Sequence, residues 1–256
     1  MAELVYPPVI AFARAVFRFQ GLRFTIEGSE HVPRTGGAVM AINHIGYFDF
    51  TYAGLAARTA RRLVRFMAKQ EVFAHKVSGP LLRGMHHIEV DRAAGGGSYQ
   101  AAVKALRAGE VVGVFPEATI SRSFELKGFK TGAVRMAAEA EVPIIPTVVW
   151  GSQRVWTKGK PKRLGRTKTP IFIYVGEPIV VAPDADPAAV TASLRETMRA
   201  LLHRAQDAYP DAPATEDERW WLPVRLGGTA PTPEEAAVAE AAERQARLDR
   251  RAAQST

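Results

Sequence analysis

Ala38-Val39-Met40-Ala41-Ile42-Asn43-His44-Ile45-Gly46-Tyr47-Phe48-Asp49 is the stretch on which the reading of this chain turns. Its first five residues are apolar without a break, as in a strand buried on both faces, and a helix-like segment begins at Asp49. Between them stands an NHxxxxD pattern. A neutral imidazole can take a proton from a hydroxyl near pH 7, and a carboxylate on its other ring nitrogen fixes the tautomer and stabilises the imidazolium that forms. Five positions is not a helical contact spacing. His44 and Asp49 therefore meet only if the strand end turns back before the helix, with His44 in the loop and Asp49 in the first helical turn. The plainer reading of the same residues is a helix cap at Asp49 and an ordinary loop histidine.

A second stretch has the same construction. Phe115-Pro116-Glu117-Ala118-Thr119-Ile120-Ser121 follows the apolar run Val111-Val112-Gly113-Val114. With it the sequence resembles the PlsC-type glycerolipid acyltransferases, whose blocks run NHxxxxD, an arginine block, FPEGTRS and an apolar-proline block. Here the arginine block is Ile88-Glu89-Val90-Asp91-Arg92, and the fourth is Val142-Pro143-Ile144-Ile145-Pro146-Thr147. Two departures stand out. Ala118 replaces a glycine, which reads as a small change, and Ile120 replaces the arginine that the family uses for substrate phosphate. Isoleucine has no hydrogen-bond donor.

At 256 residues and 47% hydrophobic side chains, the chain is long enough for one domain with appendages. It has no cysteine, which excludes disulfides, thiolate metal sites and a cysteine nucleophile, so thioester chemistry must proceed by direct attack of the acceptor. The net charge of +8 suits an anionic partner. No secretory signal pattern and no apolar run long enough for a transmembrane helix are expected from the sequence.

Residues 1–21 read as a short amphipathic helix with prolines in its first turn, Arg14 and Arg18 one helical step apart, and phenylalanines over the remaining surface. It suits either docking at a membrane interface or packing on its own domain. Residues 22–209 alternate strand-like and helix-like segments, predicting an α/β fold with a mostly parallel central sheet flanked by helices and the motif loops at one end of it. Gly95-Gly96-Gly97 reads as a flexible connection, Ser98 as the cap of the following helix, and His86-His87 as a poor pair of metal ligands, so no metal is expected. The run 154–168 holds seven cations and no acid, suiting lipid headgroups, an acidic carrier or plain solvation. Residues 210–256 form an extension, pinned by Trp220, Trp221 and Leu222 and ending in an Ala/Glu/Arg helix over 233–253 with little to bury.

The resemblance implies transfer of an acyl group from an acyl-CoA or acyl-ACP thioester to lysophosphatidic acid, with no further cofactor. It gives His44 and Asp49 the catalytic roles and Arg92 the acceptor phosphate. Lys69, where the family often has a phosphate-binding lysine, and Arg122, two positions beyond Ile120, are candidates to share that phosphate. Glu117 and Thr119 read either as substrate-binding residues or as braces of their loop. The implied partners are an anionic membrane surface, a lysophospholipid acceptor and the acyl donor, with the protein peripheral to the cytoplasmic face of the cell membrane. A lysolipid with another headgroup is the alternative acceptor, because of Ile120. A nucleic-acid-binding protein would also fit the charge, but no aromatic stacking platform or zinc-finger spacing accompanies it, so nucleic acid is not expected as a partner. No GxSxG serine-hydrolase pattern occurs.

Overall fold

The computed structural model describes residues 3–91 and 96–254. In chain order its elements are α1 (Tyr6–Gln20), β1 (Arg23–Glu27), β2 (Ala38–Ile42), α2 (Asp49–Thr59), β3 (Val64–Lys69), α3 (Gln70–Ala74), α4 (Ser78–Gly84), β4 (Ile88–Val90), α5 (Gly96–Arg107), β5 (Val111–Val114), α6 (Gly132–Ala140), β6 (Ile144–Trp150), β7 (Pro170–Val175), α7 (Pro187–Asp207) and α8 (Pro233–Gln254). The strands make one sheet in the order β1-β7-β6-β2-β5-β3-β4. The run from β6 to β4 is parallel, and β7 reverses direction against β6 and carries β1 alongside it. The α/β fold with a mostly parallel sheet is therefore present.

Burial explains the arrangement. All five residues of β2 are buried, and they alternate between two cores. Val39 and Ala41 pack with α5, α6 and α7 on one face, while Ala38, Met40 and Ile42 pack with α2 and Phe17 of α1 on the other. Helices on both faces hide a sheet too apolar to meet water. The chain leaves β2 toward β3 on one side and later reaches β6 on the other, so the loops after β6, β2 and β5 lie together at the carboxyl end of the strands. Sheets of this kind build their sites at such a point.

Helix α1 packs on the domain, burying Tyr6 and Phe17, while Phe12 and Phe19 stay 71% and 70% exposed. The hydroxyl of Tyr6 donates to the carbonyl of Val64 at 2.8 Å, and Gly21 ends the helix in a left-handed conformation. Ser98 does not cap α5. Gly96 already belongs to the helix, because the roughly 1 kcal/mol that each glycine costs is offset by burial of Ala102, Val103 and Leu106. Gly96 and Gly97 are thus helical, and Gly95 lies outside the described residues. Trp221 is buried, with Trp220 and Leu222 packed on the same core, so this segment does pin the tail. No helix among the described residues is long and apolar enough to cross a membrane.

Candidate active site

After Ile42 the backbone turns back as the NHxxxxD spacing requires. Asn43, fully buried, continues the sheet through its side chain: its amide donates to the Val149 carbonyl at 3.0 Å, and its oxygen accepts from the Val149 N–H at 2.6 Å. Asp49 is also fully buried, in the first turn of α2, where the helix dipole favours a carboxylate. Its Oδ2 accepts from the N–H groups of Ile45 at 2.7 Å and Gly46 at 2.8 Å and from His44 Nδ1 at 3.0 Å. Its Oδ1 accepts from the hydroxyl of Ser152, at the end of β6. With Asp49 accepting on both oxygens, His44 Nδ1 is the donor and Nε2 keeps its lone pair. Gly46 is required by space, since a Cβ there would lie 2.7 Å from Ser152 Oγ.

The loop after β5 holds the rest of His44. Phe115 stacks on the imidazole with centroids 4.2 Å apart. The His44 carbonyl accepts from the N–H of Ser121 at 2.7 Å, and its own N–H donates to Glu117 Oε1 at 2.8 Å. Glu117 Oε2 accepts from the Lys127 N–H at 3.0 Å. The ring is thus fixed at its backbone, its face and one nitrogen, while the side chain keeps 21% of its surface open.

Burial pushes the Glu117 carboxyl up to about 8, against the lowering effect of the Lys127 and His44 N–H bonds. Of the two readings of Glu117, the structure gives the brace: the side chain is 5% exposed and both oxygens are taken by backbone. Thr119 accepts from Lys127 Nζ at 2.5 Å. Ala118 has φ +63°, the left-handed region where a Cβ is strained. Its replacement of glycine is therefore not the small change that the sequence suggests. Ile120 is buried, so that position presents no group to a phosphate.

Among the cations, Arg122 donates to Glu243 of α8 rather than standing open to a substrate. Lys69 is exposed at the carboxyl end of β3, beyond β5 from the His44 loop. Arg92 lies outside the described residues. The 154–168 run is less free than its composition suggests. Arg154 pairs with Asp211 at 2.6 Å and stacks 4.4 Å from the Trp221 ring centroid, Lys158 pairs with Glu243 at 2.6 Å, and Lys160 and Lys162 sit over Trp220 and Trp156. Of the adjacent histidines, buried His87 is pushed down to about 4 by desolvation and its Nδ1 accepts from the Phe66 N–H at 3.1 Å. Among the described residues no cluster of three His, Cys, Asp or Glu able to hold a metal ion occurs.

Sequence reading missed Ser152, Lys127, and the glutamates of α8. Ser152 carried one usable signal: a Gly-Ser pair directly after a buried strand, at the sheet end where the other two motif loops begin. Lys127 and α8 carried none, because their contacts join segments 113 residues apart.

The acyltransferase family model matches residues 23–150, half of the chain. The 1-acyl-sn-glycerol-3-phosphate acyltransferase of Bacillus subtilis is 30% identical over 189 residues, covering 70% of this chain and 88% of that protein. The enzyme of the same name from Limnanthes douglasii is 32% identical over 143 residues, covering 54% and 49%. The crystal structure of the 1-acyl-sn-glycerophosphate acyltransferase PlsC from Thermotoga maritima superposes with a TM-score of 0.62, covering 82% of this chain and 92% of that one. At 17% identity this last likeness speaks for the fold alone. By the match over both motif loops and by the kinship with the Bacillus protein, the chain belongs to the PlsC-type acyltransferase family.

Proposed function

We propose that this protein moves an acyl group from an acyl-CoA or acyl-ACP thioester to the free hydroxyl of lysophosphatidic acid, giving phosphatidic acid. The observation that carries this reading is the His44–Asp49 pair, with Nδ1 held at 3.0 Å and Nε2 open to an acceptor hydroxyl. Nε2 takes the hydroxyl proton as the oxygen attacks the thioester carbonyl. The tetrahedral intermediate then collapses, the carbon–sulfur bond breaks, and the imidazolium returns its proton to the departing thiolate. Asp49 stabilises the imidazolium between these steps. The Ile45 and Gly46 amides are already bound to Asp49, so the oxyanion takes its donors from other groups.

Arg92, with Lys69 and Arg122 to share it, is the sequence's candidate for the acceptor phosphate. Buried Ile120 favours a second reading, in which the acceptor is a lysolipid with another headgroup. Acyl transfer measured with a panel of lysolipids and with both donors separates these. Transfer to lysophosphatidic acid above all others supports the first reading, preference for a different lysolipid supports the second, and no transfer to any of them overturns both. For the membrane, we propose a peripheral location, supported by the two exposed phenylalanines of α1, with the cytoplasmic face as the expectation carried over from the resemblance.

A further inference from the structure

The large apolar side chains of the C-terminal helix point away from the domain: Val238 is 71% and Leu248 53% exposed. What attaches it near the site is charge. Glu240 and Glu243, three positions apart on one helix face, reach cations from two different loops. Glu240 pairs with Lys127 Nζ at 2.5 Å, and Glu243 takes both Arg122 and Lys158, the latter at 2.6 Å. Hydrogen bonds from Lys158 and Arg122 hold the Glu243 carboxyl below its usual range.

These cations stand on the segments that hold His44. Lys127 binds through its N–H the same carboxylate that binds the His44 N–H, and its ammonium meets Thr119. Arg122 follows Ser121, whose N–H bonds the His44 carbonyl. Lys158 follows Thr157, whose hydroxyl donates to the Ile45 carbonyl at 2.6 Å. Two carboxylates serve the cluster incompletely: Arg122 Nε and Glu240 Oε1 are buried without a hydrogen-bond partner. A phosphate, with three terminal oxygens at one centre, accepts from more donors in less space than two planar carboxylates on separate stems.

We propose that Arg122, Lys127 and Lys158 form a phosphate subsite beside His44, and that Glu240 and Glu243 occupy it in this conformation, so that α8 yields when phosphate binds. The subsite supplies cations that buried Ile120 does not. The phosphate belongs either to the acceptor headgroup or to the donor's carrier; that assignment, unlike the subsite itself, rests on the acyl-transfer reading above.

The test uses the full chain and inorganic phosphate as probe, by isothermal titration. Glu240→Gln/Glu243→Gln, with Glu243→Gln alone as the milder variant, removes the competing charge while keeping shape. The double variant should bind phosphate at least tenfold more tightly than wild type, the single variant should fall between, and adding Lys127→Met to the double variant should abolish the gain. Unchanged phosphate affinity in a variant with an unaltered circular dichroism spectrum would overturn the proposal and leave α8 as a structural brace. Acyl-transfer kinetics then assign the source: a lower KM for the acceptor alone identifies its headgroup, and a lower KM for the donor alone identifies its carrier. Should no lysolipid be acylated by any variant, the functional reading fails while the titration still decides the subsite.

Discussion

His44 has little freedom in the structure. Four interactions converge on it, one from Asp49 and three from the loop after β5, and Nε2 is the nitrogen left for the proposed chemistry. His44→Ala should abolish transfer. Asp49→Asn should keep the fold, its amide oxygen taking the Ile45 and Gly46 N–H groups, but slow turnover by orders of magnitude, up to about 10⁴-fold, since a neutral amide no longer stabilises the imidazolium. Steady-state rates on purified, folded variants check both, and a Michaelis rate unchanged in His44→Ala would remove the dyad from the mechanism. Ala118 makes a stability prediction at the same scale. Its φ of +63° costs an alanine about 1–2 kcal/mol, and a glycine there would return most of that while adding about 0.5–1 kcal/mol of unfolded-state entropy. Ala118→Gly should therefore stabilise by about 0.5–1 kcal/mol, seen as a rise of about 2 °C in Tm. A fall in Tm would show that the turn relieves its strain elsewhere.

At the scale of elements, Glu117 joins the loop after β2 to the loop after β5, and it does so from a buried position. Burial raises its carboxyl from the usual 4.5 to about 8, so the folded protein binds this proton more tightly than the unfolded chain does. The stability it contributes is complete below the unfolded value and is lost as pH rises from about 4.5 toward about 8. Unfolding free energies from urea titrations across that window should fall in wild type by an amount on the order of a few kcal/mol relative to Glu117→Gln, whose amide does not titrate. Equal slopes would mean that the two backbone N–H groups keep the carboxylate ionised throughout. The elements at the two motifs were legible from sequence because β2 and β5 are unbroken apolar runs and each motif begins where such a run stops. The partners across the site were not. Ser152 reaches Asp49 over 103 residues, and α8 reaches the loops by glutamates that look, in sequence, like any solvated helix face. Periodicity reports which face is apolar; it carries no record of which distant cation a surface acid meets.

On the whole molecule, the proposed membrane location turns on α1. The sequence suggested either a docking helix or a helix folded on its own domain, and α1 combines features of both. Its inner face, with Tyr6 and Phe17, is part of the core, so deleting it would damage the fold and test nothing about docking. Its outer face is the informative one. Phe12 and Phe19 are seven positions apart and so lie on one line of the helix, while Arg14 and Arg18 occupy the other border of the exposed arc. Phenylalanines sunk into acyl chains gain about 1.5–3 kcal/mol each, and arginines near anionic headgroups about 1 kcal/mol each. The apolar pair should thus outweigh the basic pair. Phe12→Ser/Phe19→Ser should weaken retention on phosphatidylglycerol vesicles at least about tenfold with Tm unchanged, since both side chains already face solvent. Arg14→Gln/Arg18→Gln should weaken it less, and the arginine contribution should fade as salt is raised to 0.5 M, where charge interactions are screened within a few ångströms. If the phenylalanine variant floats with vesicles as wild type does, α1 is only a structural helix, and the remaining exposed cations of the 154–168 run become the surface to test.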